Sequence, residues 1–169
     1  MSHQTDSREV PSVVLLSDFD GFAAALEQTI CLASIQLSIL SDSLDPLLFD
    51  RPEIVSALSK LARSNAKVNI RILVKDPSNL VSRRNATVLL AQRLPSKIKI
   101  KHLQLQPSNK NINYWVADRS VLLTLRDKVM FSGSFQSRAK IEVRSLLEEF
   151  TDLWERQSAD IPNLRTLSI

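Results

Sequence analysis

Val68-Asn69-Ile70-Arg71-Ile72-Leu73-Val74-Lys75-Asp76-Pro77 decides the fold class. Val68, Ile70, Ile72 and Val74 fall every second residue, as on one face of a strand, and Asp76-Pro77 stops it. Immediately upstream, Asp50-Arg51-Pro52-Glu53 reads as a helix start, with Asp50 as cap, Pro52 in the first turn and Glu53 bonding back. Ile54, Leu58, Leu61 and Ala62 form its apolar stripe, and Asn65 is expected to end it in a left-handed conformation. Farther back, Ser34–Ser41 alternates as a strand. Before that, Phe19, Phe22, Ala23, Leu26 and Ile30 mark a helix capped by Ser17 or Asp18. Downstream, one helix is expected between Ser78 and Leu94, ended by Pro95, and then a strand over Lys97–Lys101. After the polar stretch Gln104–Asn113, three short strands are predicted at Tyr114–Ala117, Val121–Leu123 and Val129–Phe131. Val143, Leu146, Leu147, Phe150, Leu153 and Trp154 make a closing helix. Strands that alternate with helices need crossover connections. The expected fold is therefore α/β, with a mixed, largely parallel sheet flanked by helices on both faces.

The length of 169 residues suits one domain, expected over 12–169 behind a flexible polar arm, 1–11. Such a chain buries roughly 68–70% of its unfolded surface and needs no disulfide or metal for stability. A single cysteine, Cys31, rules out an internal disulfide; its Ala/Leu-rich setting predicts a buried, inert thiol and a reducing compartment. No apolar run approaches the roughly 18 residues that span a bilayer, and the first residues lack a signal-peptide core, so a cytoplasmic, membrane-free protein is expected. With two glycines in the chain there is no Gly-rich phosphate loop. No cofactor or metal is implied: Asp42, Asp45 and Asp50 lack the Gly and terminal Glu of a calcium loop and read as turn and cap residues.

The order of these elements resembles the phospholipase D superfamily. The local text that carries the likeness is Phe49-Asp50-Arg51-Pro52-Glu53, the strand ending at Asp76-Pro77, and the closing Phe150-Thr151-Asp152-Leu153-Trp154-Glu155. It looks closest to uncharacterised bacterial domains sometimes attached to an acetyltransferase. The resemblance implies a phospholipase D-like half unit whose signature is His-x-Lys-x-x-x-x-Asp followed by Gly-Ser-x-Asn. The matching window is Asn111-Ile112-Asn113-Tyr114-Trp115-Val116-Ala117-Asp118, with Asn111 for histidine, Asn113 for lysine, and Asp118 retained. Gly133-Ser134-Phe135-Gln136 resembles the second motif, set farther from Asp118 by an apparent insertion, Thr124–Lys128. In that family the aspartate supports the histidine, while the lysine and asparagine hold phosphate oxygens.

An amide is neither nucleophile nor base near neutral pH, and losing the lysine removes a cation from the transition state. The expectation is a non-catalytic binding or assembly module with a degenerate site at Asn111, Asn113, Asp118, Ser134 and Gln136. The family pairs two motifs across a two-fold, so one motif per chain implies a homodimer. An atypical phosphodiesterase using Asp118 is the enzyme alternative. His3 and His102 are the only histidines, and neither has a lysine two positions on.

The net charge of +4 is mildly basic. Arg83, Arg84, Arg93, Lys97, Lys99 and Lys101 gather as an anion-binding candidate, for a phosphate-bearing ligand or a nucleic acid. Without interleaved aromatic residues to stack bases, a solvated helix and a lysine-guarded edge strand is the plainer reading. Trp115 and Trp154 are expected in packing.

Overall fold

Residues 13–83, 85–107, 112–162 and 164 are described by a computed structural model. The elements in chain order are β1 (Val13–Leu16), α1 (Phe19–Leu32), β2 (Gln36–Ser41), α2 (Pro46–Phe49), α3 (Pro52–Ser64) and β3 (Asn69–Val74). They continue with α4 (Ser78–Ser82), α5 (Ala86–Arg93), β4 (Ile98–Leu103), β5 (Asn113–Ala117), β6 (Val121–Asp127), β7 (Ser132–Gln136), α6 (Lys140–Arg156) and β8 (Ser158–Asp160). The strands form one sheet in the order β1-β7-β6-β5-β2-β3-β4-β8.

The fold is α/β with a mixed sheet between helices. Parallel pairing is confined to β2–β3 and β3–β4; the other five pairings are antiparallel, so the sheet is partly rather than largely parallel. Helical crossovers α3 and α5 force the parallel pairs. Short turns joining β5, β6 and β7 can only reverse the chain. On one face α1, α3 and α5 pack through Phe22, Leu26, Leu58 and Val88 onto Ile39, Ile72 and Trp115. On the other, α6 lays Val143, Phe150, Leu153 and Trp154 over Leu40, Leu73, Tyr114 and Val116. Trp115 is thus core, with its ring against Phe22 and Phe49, while Trp154 stacks on Phe150.

Several local expectations fail for identifiable reasons. Asp50 does not cap α3: it ends the unpredicted α2 and accepts from the Ala86 N–H, while Arg51 holds the cap position without a capping hydrogen bond from its side chain. Asn65 is extended, its side chain accepting from Lys67 N–H. The single helix expected between Ser78 and Leu94 is two, because Asn85 caps α5 by accepting from Val88 N–H. Val129-Met130 is the exposed tip of the β6–β7 hairpin, and the third strand begins after it. Cys31 is exposed, one position off the buried stripe of α1 that ends at Ile30. The arm 1–11 lies outside the described residues, as does His3.

Candidate functional site

Parallel register brings the carboxyl ends of β2 and β3 level, Ser41 beside Val74, so Asp42 and Lys75 leave the sheet side by side. In open α/β sheets ligands gather outside these ends. Backbone bonds Lys75 N–H to Ser41 C=O (3.0 Å) and Asp76 N–H to Asp42 C=O (2.7 Å) fix the two loops together. β5 runs antiparallel to β2, with Leu40 opposite Tyr114, and so delivers buried Asn113 to the same end. β6 reverses again and carries Lys128 there, just past Asp127.

The four side chains meet. Lys75 Nζ lies 3.0 Å from Asp42 Oδ1 and donates to Asn113 Oδ1 at 3.5 Å. Lys128 pairs with the other oxygen of Asp42. Burial pushes both lysines below the usual ammonium range, and Lys75 is the deeper of the two. Two ammonium groups thus converge on the carboxylate of Asp42. Lys128 is the half-exposed member of the cluster and Asn113 its buried floor. This arrangement can hold an anion. Its side chains are two lysine amines, one amide and a carboxylate shared between the two lysines.

Of the five degenerate-site positions, Asn113 alone among those described sits in this cluster; Asn111 lies outside the described residues. Asp118 stands at the opposite end of β5, five residues or about 16 Å away along the strand. There it is a backbone bracket. Its carboxylate accepts from the N–H groups of Ser34 (3.0 Å), Ile35 (2.9 Å) and Gln36 (3.0 Å), and its own N–H donates to Gln36 C=O. Its φ of 52° is left-handed, a region aspartate tolerates. Ser134 and Gln136 are on β7. Register aligns Tyr114, Thr124 and Ser134 on one sheet face, and the pleat turns Asn113 to the other. Ser134 bonds Thr124 Oγ1 at 2.8 Å, and Gln136 lies opposite Leu122, toward the Asp118 end. Lys75 and Lys128 were missed as site residues, and Asp42 was read as a turn residue. The available signal was a lysine directly after a β-branched run, at a strand's carboxyl end.

The basic set disperses. Lys97 Nζ donates to the carbonyls of Asn65 and Ala66, Lys101 sits 4.6 Å above the Trp154 ring, Arg83 and Arg93 are exposed on other elements, and Arg84 lies outside the described residues. His102 is on β4 opposite Ala159, with Gln104 Nε2 3.1 Å from its Nδ1. Asp45 caps α2 by accepting from Leu47 N–H. Among the described residues no helix is long and apolar enough to cross a membrane. A separate groove lies along β4.

These features define an α/β domain with a charged cluster at the carboxyl edge of its parallel strands. The chain belongs to the family described as "Domain of unknown function (DUF7931)", whose pattern matches residues 9–167. No curated protein matches the chain. Among solved structures it is similar in fold to TrmBL2, an archaeal chromatin protein whose structure is described as showing a novel mode of DNA binding. The TM-score is 0.60 at 14% identity, over 94% of this chain and 57% of that one. The chain thus spans little more than half of that protein's length.

Proposed function

We propose that this chain is a non-catalytic, phospholipase D-like domain that binds a phosphate-bearing ligand and works as a homodimer. The observation that carries this reading is the contact of Lys75 with both Asn113 and Asp42. An amide stands where the family resemblance wants a lysine, and a lysine from another strand reaches the same spot. A cation is thereby retained, while an amide, Asn111, stands where that family has its attacking histidine. The dimer rests on the resemblance, which implies two facing copies of a motif present once here.

Calorimetric titration with inorganic phosphate, and separately with a phosphodiester, tests binding. Lys128→Ala is expected to weaken it several-fold, because a charge-assisted contact to an exposed group is removed. Turnover of any phosphodiester that disappears in Lys75→Ala would sink the non-catalytic reading. Sedimentation equilibrium tests the dimer, and a monomer at tens of micromolar speaks against it.

A second reading, nucleic-acid binding, is favoured by the DNA binding described for TrmBL2. It requires the basic segment to act together, whereas Lys97 is engaged by loop carbonyls and Lys101 by Trp154. A salt-dependent mobility shift of duplex DNA lost in Lys97/Lys99/Lys101→Ala would establish it.

A further inference from the structure

β4 is covered on its outer side only in part. β8 pairs with Lys101, His102 and Leu103, and the chain then turns away at Ile161-Pro162. Ile98, Lys99 and Ile100 have no outer strand among the described residues. The backbone phase follows from two bonds: Lys97 C=O accepts from Ile70 N–H on the inner side, and Gln104 N–H donates to Gln157 C=O on the outer side. Odd residues therefore face β3 and even ones face outward. Ile98 N–H is taken by Leu94 C=O, which leaves Ile98 C=O and Ile100 N–H on the outer side with no strand bonded to them among the described residues. A groove of about 690 Å³ runs along this edge. Its wall on the α5 side is apolar, with Val88, Ala91, Ile98 and Ile161; the wall on the α6 side carries Lys99, Lys101 and Trp154.

Asp160 of β8 stands opposite Lys101, an acid–base cross-strand pair on the α6 side. Two residues along, Lys99 is exposed and forms no ion pair among the described residues, and it sits beside Arg71 of β3, a like charge. We propose that this edge is a docking site for an extended peptide segment of alternating apolar and acidic residues. The segment adds as an antiparallel strand in line with β8. Its acidic residue faces Lys99, as Asp160 faces Lys101, and the flanking apolar residues turn to the α5 wall, since successive side chains alternate. Backbone affinity comes from Ile98 C=O and Ile100 N–H. Charge selects acidic over basic sequences.

The test is fluorescence anisotropy of the full chain with a labelled octapeptide in which valine and glutamate alternate. Three controls accompany it: the same design with lysine in place of glutamate, a block peptide with all its valines preceding all its glutamates, and the alternating valine–glutamate peptide methylated on every second amide nitrogen. Binding is expected for the unmethylated alternating valine–glutamate peptide alone. Lys99→Glu, at an exposed position, should weaken it at least about fivefold, and Lys128→Ala should leave it unchanged. Equal binding of the block or methylated peptide would reduce the site to nonspecific charge and overturn the proposal, as would indifference to Lys99→Glu or no binding at all. A duplex oligonucleotide that binds in a Lys99-dependent way while the alternating acidic peptide does not would assign the face to nucleic acid instead.

Discussion

Replacing Asp118 by alanine removes the acceptor for three consecutive backbone N–H groups at the entry to β2. The Gln36 N–H is half-buried, so losing a charged acceptor costs about 1.5–3 kcal/mol there. The Ser34 and Ile35 N–H groups are exposed and recover water, which limits their loss to roughly 0.5–1 kcal/mol each. Alanine at a φ of 52° adds about 1 kcal/mol, because a Cβ without a local hydrogen bond disfavours the left-handed region. The sum is about 3.5–6 kcal/mol, a large share of a domain's stability. Asparagine tolerates that backbone and keeps one acceptor oxygen, so Asp118→Asn should lose about half as much. Urea unfolding followed by far-ultraviolet circular dichroism reads both variants, and the midpoint should fall at unchanged slope. If Asp118→Ala lost under 1 kcal/mol, or Asp118→Asn as much as alanine, the bracket would not be what holds this corner.

Tyr114 is the chain's only tyrosine, and burial raises its phenol above the ordinary range, with Glu149 adding to the shift. Absorbance at tyrosinate wavelengths should stay flat until the chain unfolds. The unfolded phenol ionises near 10 while the folded one stays neutral, so stability is intact below about pH 10 and declines above it. A reversible titration near pH 10 in the folded state would contradict this. Gly133→Ala places a Cβ against the Thr124 carbonyl, a backbone atom that cannot step aside. The expected loss is about 3 kcal/mol or more, read by thermal unfolding; a neutral result would refute the close β6–β7 approach. Lys128→Ala should weaken phosphate binding while shifting stability by under about 1 kcal/mol, since the exposed half of an ion pair contributes little.

Much of the fold is legible along the chain because it is local. The apolar stripes of α1, α3 and α6 and the alternation of β2 and β3 follow from residues within one or two turns of each other. The errors arise where distant partners compete: Asp50 serves the Ala86 N–H instead of its own helix, and Val129-Met130 is spent on a hairpin tip. β8 was unreadable for the same reason, since Ser158-Ala159-Asp160 is a strand only because β4 offers it an edge.

That Asn111 and Asn113 are amides, which supply neither base nor cation wherever they sit, is side-chain chemistry and needs no coordinates. Which side chains surround Asn113 is a matter of strand order and register. These bring residues 42, 75, 113 and 128 together, carry Asp118 to the far end of β5, and turn Ser134 to the other face. Long-range pairing sets all three, and no window of sequence contains it.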